Sequence, residues 1–238
     1  MKNVPRVFID SELREGAEGI LPPAAVHYLT HVMRTNRFLA FNNGDEYEAE
    51  LTHNSYFILH NSTGRSDPSG KWEFYFAPIK KIEDLIAGIV QMGARVLQPV
   101  ITERTVARRV NWPRMKKIII ENAEQSGRNS VPELRPPIPF DALDKKGIVY
   151  GDERGVSLRG VKRRSNLDEI AVPCGLAMTT ATNHAHELRL LVGPEGGFSD
   201  AEFDALGRAG AVGVCLAPTI LRAEVAAVAL AARVIGGE

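Results

Sequence analysis

Apolar positions along the chain change their spacing once. Up to residue 60 they come in short bursts. Arg6-Val7-Phe8-Ile9 predicts a strand that ends at Asp10-Ser11, Tyr47 to Leu51 alternates, and Tyr56-Phe57-Ile58-Leu59 predicts a further strand. Behind Leu21-Pro22-Pro23, the residues Val26, Leu29, Val32 and Met33 recur at helical spacing from Ala24 to Arg34. Asn42-Asn43-Gly44-Asp45 is a turn signal. Several short strands with one helix predict a small β-barrel domain over residues 1–68. His27, His31 and Arg34 sit at helical spacing on that helix, either as an RNA-facing edge or as its solvated side. Asn61 to Lys71 is almost entirely polar, Gly or Pro, and marks a domain boundary.

Beyond the boundary, strands alternate with helices. Phe74 to Ala77, Val96 to Ile101, Ile148 to Tyr150, Leu188 to Val192 and Val212 to Leu216 predict strands. Helices are predicted over Ile82 to Met92 with Gly93 as terminator, from Pro113 up to Gly127, over Asp200 to Ala209, and over Ala223 to Ile235. This alternation predicts an α/β domain over 72–238 whose mainly parallel sheet is covered on both faces. Four prolines between Pro132 and Pro139 predict an extended crossover. Residues 154–187 carry no clear period; Arg159 to Arg164 within them is a basic stretch, read as a phosphate grip or a solvated loop.

Charge adds one exclusion. Lys plus Arg balance Asp plus Glu, 29 against 29, so no global field draws polyanions to the whole surface, and an RNA-binding face must be local. Cys174 and Cys215 form neither a CxxC pair nor a metal spacing, which points to a reduced compartment and no metal. The first residues lack a basic segment followed by an apolar one, and no apolar run approaches the ~20 residues that span a bilayer. A soluble, cytoplasmic protein without membrane partners is expected.

Two loops concentrate the chemistry. Leu190-Leu191-Val192 runs into Gly193-Pro194-Glu195-Gly196-Gly197, then Phe198, Ser199 and, three residues later, Glu202. This is a buried strand, a glycine turn and a helix start with a capping box. Bare glycine backbone lets a ligand come close, although many αβ turns look alike. The second loop, Leu216-Ala217-Pro218-Thr219-Ile220-Leu221-Arg222-Ala223-Glu224, leads into an Ala-rich helix. Its small side chains suit close packing on another backbone, such as a partner subunit's, or simply reflect alanine's helix propensity.

Together, GPEGG-F-S-x-x-E and L-x-P-x-I-L-R-x-E resemble the C-terminal signature of the RsmE family of SPOUT-class methyltransferases. Further stretches are similar to that family: Arg6 to Ile9, His27-Tyr28-Leu29 with Val32-Met33-Arg34, Phe41-Asn42 with Glu46 to Ala49, Pro99 with Thr102-Glu103-Arg104, Glu124-Gln125-Ser126-Gly127-Arg128, and Val131-Pro132-Glu133. The resemblance implies an N-terminal PUA-like barrel and a C-terminal α/β domain with a deep trefoil knot. It implies transfer of a methyl group from S-adenosylmethionine (SAM) to N3 of a uridine in 16S rRNA, free or within the 30S subunit, by a homodimer. Carried over by motif, Gly193, Pro194, Glu195, Gly196 and Gly197 form one cofactor wall, and Leu216, Pro218, Ile220 and Leu221 the other.

Within that reading Arg222 is the candidate to stabilise negative charge on the base, and Glu224 takes the proton or orients Arg222; a helix-start salt bridge is the plain alternative for the pair. Glu124, Gln125 and Arg128 face the RNA or cap their helix. Arg104, Arg108, Arg109, Arg114 and Arg128, with Arg163 and Arg164, are expected to form a local basic face. The chain departs from the family at Ala217, Thr219, Val225 and Gly88. Those departures motivate a second reading, a non-catalytic RNA-binding dimer on the same fold. A generic nucleotide-binding α/β enzyme is the third, and lacks the GxGxxG pattern.

Overall fold

The computed structural model describes residues 4–67, 70–107, 110–156 and 188–235. The expectations placed on Arg108, Arg109, Arg159 to Arg164 and Cys174 lie outside those residues. Two compact units divide the chain. The first joins Met1–Ser69 with Ile119–Val131; the second joins Gly70–Ile118 with Pro132–Glu238. The polar stretch after residue 60 therefore contains the chain boundary, but the first unit also takes in a distant segment that hydropathy spacing does not assign to it.

In the first unit, β1 (Arg6–Phe8), β2 (Glu18–Ile20), α1 (Pro23–His27), β3 (Arg37–Asn42), β4 (Asp45–Leu51) and β5 (Tyr56–Ser62) follow in order. Helix α1 runs on as a π-helical segment, Tyr28–Met33, which stops at Arg34 in the left-handed conformation (φ 52°). The sheet order is β1-β3-β4-β5-β2, with β1 parallel to β3 and the other pairs antiparallel. Asn43 and Gly44 both have positive φ, which lets a two-residue turn join β3 to β4. Alternation in β3 and β5 turns Phe38, Ala40, Phe57 and Leu59 onto a core with Val7, Leu21 and Leu29. The Ile119–Val131 segment is stitched to this sheet through polar groups. Arg6 Nη2 donates to Arg128 O and Asn129 Oδ1, each at 2.8 Å, Phe8 N donates to Glu124 Oε1 at 3.0 Å, and Gly44 N donates to Asn129 O at 2.9 Å.

The second unit contains β6 (Trp72–Phe76), α2 (Ile82–Gln91), β7 (Val96–Ile101), the start of α3 (Trp112–Ser126), β8 (Glu133–Leu134), β9 (Ile138–Pro139), β10 (Ile148–Val156), β11 (Leu188–Val192), α4 (Asp200–Arg208), β12 (Val212–Val214) and α5 (Ala223–Ile235). The strand order is β12-β10-β11-β6-β7-β8, with β9 also on β7, and every pair is parallel. The proline-rich crossover thus supplies two short edge strands, where a missing N–H does least harm. One sheet face packs Tyr75, Leu191 and Tyr150 with Phe198 and with Leu206 of α4. Helices α2 and α5 pack on each other, and α5 lies against β10 and β11. A Cβ on Gly88 would stand 2.6 Å from Val228 Cγ2, so the glycine permits this close helix pair. On α5 itself, Ala223, Ala227 and Ala231 are buried.

Candidate active site

In a parallel sheet all strands finish at one end, and ligands of open α/β folds bind in the crevices outside those ends. Strands β11 and β12 flank β10, so the glycine loop after Val192 and the second loop after Val214 leave the same end of the sheet. Loops after β6 and β7 leave it too.

The glycine loop is held at several points. Gly197 N donates to Pro194 O at 2.9 Å, closing a turn that Gly197 leaves with φ 68°. A Cβ on Gly193 would lie 3.0 Å from the Phe198 ring, which is tight for a larger residue. Ser199 caps α4 through the expected box. Ser199 N donates to Glu202 Oε2 at 2.8 Å, and Glu202 N donates to Ser199 Oγ at 3.4 Å. The other oxygen of Glu202 accepts from Glu103 N at 2.8 Å, tying α4 to the loop after β7. From that loop Arg104 Nη1 donates to Gly196 O (3.0 Å) and Phe198 O (3.3 Å). From the loop after β6, Lys80 N donates to Glu195 Oε1 at 2.9 Å.

The second loop is more open. Pro218, Thr219 and Arg222 are exposed, and Ile220 is 83% and Val225 49% accessible. Leu216 turns inward, its Cδ1 3.1 Å from where a Cβ on Gly151 would stand, and its carbonyl accepts from Arg233 Nη1 at 3.4 Å. Ala226 N donates to Arg222 O at 2.8 Å, so Arg222 opens α5. Glu224, half-buried, lies with Oε1 3.9 Å from Lys81 Nζ. Among the described residues its ionic partner is Lys81, so the salt bridge weighed for Arg222 and Glu224 is not formed. Arg222 presents its guanidinium to solvent.

Three of the residues expected to face RNA, Arg104, Glu124 and Arg128, also have structural roles in this geometry. Arg104 grips the glycine loop. Glu124 accepts the Phe8 amide, and burial raises its carboxyl pKa while that amide and Arg6 oppose the rise. Arg128 is 2% accessible, and burial pulls its guanidinium down to about 10. Gln125, on the same helix end, is exposed. Arg114 pairs with Glu83, with Nη2 donating to Oε2 at 2.8 Å. Of the described members of the expected basic face, Arg104 and Arg114 are exposed and Arg128 is buried. Only the fold reveals that Lys80, Glu103 and Lys81 support the loops; sequence spacing carries no sign of it. A separate cavity of about 280 Å³ lies among Ile101, Glu103, Phe140, Asp141, Ser199 and Glu202, and none of the expected cofactor-wall residues lines it. No helix among the described residues is long and apolar enough to cross a membrane, and no cluster there could hold a metal ion.

The model of the RNA methyltransferase domain family matches residues 68–235. The chain belongs to the RNA methyltransferase family. Among its relatives is the Ribosomal RNA small subunit methyltransferase E of Rickettsia conorii, 27% identical over 244 residues, covering 96% of this chain and 94% of that one. The protein of the same name from Synechocystis is 29% identical over 217 residues, covering 87% of this chain and 69% of the relative. The enzyme of that name from Neisseria gonorrhoeae, solved bound to S-adenosyl methionine, superposes with TM-score 0.76 at 26% identity, over 97% of this chain and 96% of that one. A putative methyltransferase from Legionella pneumophila, solved with bound SAM, shares the fold with TM-score 0.77 at 21% identity, over 98% of each chain. The family match reaches from the start of the second unit through both loops, so the site described above lies within the matched domain.

Proposed function

We propose that this protein transfers a methyl group from S-adenosylmethionine to N3 of a uridine in the 16S rRNA of the small ribosomal subunit, acting as a homodimer in the cytoplasm on free RNA or the 30S particle. The observation that carries this reading is the pairing, at one end of a parallel sheet, of the restrained glycine loop and the exposed apolar second loop within a matched RNA methyltransferase domain. The reading includes a trefoil knot in the second unit and a PUA-like barrel in the first.

The residues present fit the cofactor. Gly193, Pro194, Glu195, Gly196 and Gly197 offer a glycine-rich rim restrained by Arg104 and Lys80. Leu216, Pro218, Ile220 and Leu221 offer apolar surface for an adenine. When bound, SAM supplies an electrophilic methyl, so the protein's task is positioning. Uridine N3 lies on the Watson–Crick edge, and the base must be unpaired or flipped to be reached. Loss of the N3 proton leaves charge on the base. Arg222, at the start of α5 and exposed to solvent, is the candidate to stabilise that charge, and guanidinium itself does not serve as a base. Glu224, held by Lys81, is the candidate proton acceptor.

Incubation with SAM and either 16S rRNA or 30S particles, followed by mapping of modified uridines, tests the proposal. N3-methyluridine is expected with the unaltered protein and its near loss with Arg222→Ala. Tight SAM binding without methyl transfer to any RNA would favour the non-catalytic RNA-binding dimer, which Thr219 and Val225 in the second loop motivate.

A further inference from the structure

Strand pairing leaves one face of the first unit's sheet turned away from its core. Phe57 and Leu59 of β5, and Ala49 and Leu51 of β4, point inward. Alternation therefore points Tyr56 and Ile58, and Glu48 and Glu50, to the other side. Strand β2, at the edge of the sheet, adds Ile20 opposite Tyr56 and Glu18 opposite Ile58. Directly opposed residues stand about 5 Å apart. Ile20 and Tyr56 thus form one apolar surface, and they are 63% and 53% accessible. Ile58, half-buried, extends it toward the middle of the sheet.

The charge around this strip is negative. Glu18 and Glu48 are exposed, and each stands opposite an apolar residue, Ile58 and Leu39. Glu50 is half-buried beside Ile58 and is held within the fold. It faces Arg37 across β3, accepts from Asn36 Nδ2 at 2.7 Å, and lies 3.7 Å from His60 Nε2. The same sign runs through the chain here: within residues 4–67 nine aspartates and glutamates stand against five arginines and no lysine. Such a face repels a nucleic acid and attracts a cationic partner. Proteins seated on folded RNA are themselves cationic, because they neutralise its phosphates.

We propose that this face docks a basic protein of the assembled 30S particle. Ile20 and Tyr56 cover an apolar side chain of that protein, and Glu18 and Glu48 pair with the lysines or arginines around it. An aromatic anchor inside a ring of complementary charge is how compact interfaces gain both affinity and choice of partner. The proposal rests on the small-subunit substrate proposed above and deepens it, because it makes the protein-bearing particle a better partner than bare 16S rRNA.

Sedimentation binding with purified 30S particles, run beside filter binding to protein-free 16S rRNA, tests it. Ile20→Thr/Tyr56→Thr removes the apolar surface with a residue that suits strands. Glu18→Lys/Glu48→Lys reverses the charge. Each variant is expected to lose about tenfold or more in affinity for 30S particles. Affinity for 16S rRNA should stay at the parental value in the first variant and stay or rise in the second. Undiminished 30S affinity in both variants overturns the inference. So does an equal loss on both ligands, which would mark an RNA-facing surface. Failure of the unaltered protein to methylate either substrate would instead sink the function proposed above, while a loss confined to 30S particles still supports the docking face.

Discussion

Arg104 shows how one side chain links two loops. Its guanidinium donates to Gly196 O and Phe198 O, and its stem passes 3.6 Å from where a Gly196 side chain would begin. Arg104→Met keeps the stem and removes the donors. Charge-assisted hydrogen bonds contribute about 1.5–3 kcal/mol each, so SAM affinity measured by calorimetry is expected to fall about tenfold or more, with RNA affinity in the absence of cofactor near the parental value. Glu124 makes a sharper case for the interior. Glu124→Gln retains a carbonyl for the Phe8 amide and should unfold within about 1 kcal/mol of the parent. Glu124→Ala leaves that amide unpaired and should lower stability by about 1–3 kcal/mol in a denaturant titration. Tyr75 governs alkaline behaviour. Burial, with its hydroxyl donating to Glu73 Oε2 at 2.5 Å, pushes its pKa up to about 12. The folded state thus holds this proton more tightly than the unfolded chain. The stabilisation is complete below pH of about 10, where an unfolded tyrosine titrates, and is lost as pH rises toward 12. Tyr75→Phe should flatten that part of the stability profile, read as urea midpoints from pH 9 upward.

At the scale of elements, the pair α2 and α5 carries the second loop's exit. Arg222 opens α5, and the helix can lie where it does because Gly88 admits Val228. Gly88→Ala gains helix propensity of about 1 kcal/mol yet inserts a methyl 2.6 Å from a valine carbon. Overpacking typically costs about 1–3 kcal/mol, so a net loss in thermal stability is expected, relieved in the Gly88→Ala/Val228→Ala double variant. Most elements here were legible from spacing. The helix periods of α2, α4 and α5 and the capping box at Ser199 and Glu202 stand where the pattern puts them. Strand β3 was not, because Phe38, Leu39, Ala40 and Phe41 form a continuous apolar run beside a turn signal. Its alternation becomes visible only once β4 pairs with it. Strands β2, β8 and β9 escaped for a similar reason: two or three residues are too few to show a period.

Across the whole molecule, the division into units does not follow the chain. Arg6, Phe8 and Gly44 all bond to residues between Glu124 and Asn129. A fragment of residues 1–69 therefore lacks acceptors for two half-buried amides and one arginine. It is expected to give a poorly dispersed amide NMR spectrum on its own and to gain dispersion when a peptide spanning 112–131 is added. A well-folded isolated fragment would show that these bonds are dispensable.

Local order determined much of this protein. Period, glycine and capping residues mark a strand–turn–helix at Leu190 to Glu202 and another at Val212 to Ala226, and with them the motif pair that places the chain among RNA methyltransferases. Those features arise from residues a few positions apart, which is where sequence patterning acts. The tertiary structure decided the rest. It brought Lys80 and Arg104 onto the glycine loop, gave Glu224 to Lys81 in place of Arg222, buried Arg128, and bonded Glu124 to the amide of Phe8 in the first strand. A charged side chain looks alike in sequence whether it meets solvent, a carbonyl or a counter-charge. Which of these it meets depends on contacts across the chain, and only the folded backbone determines them.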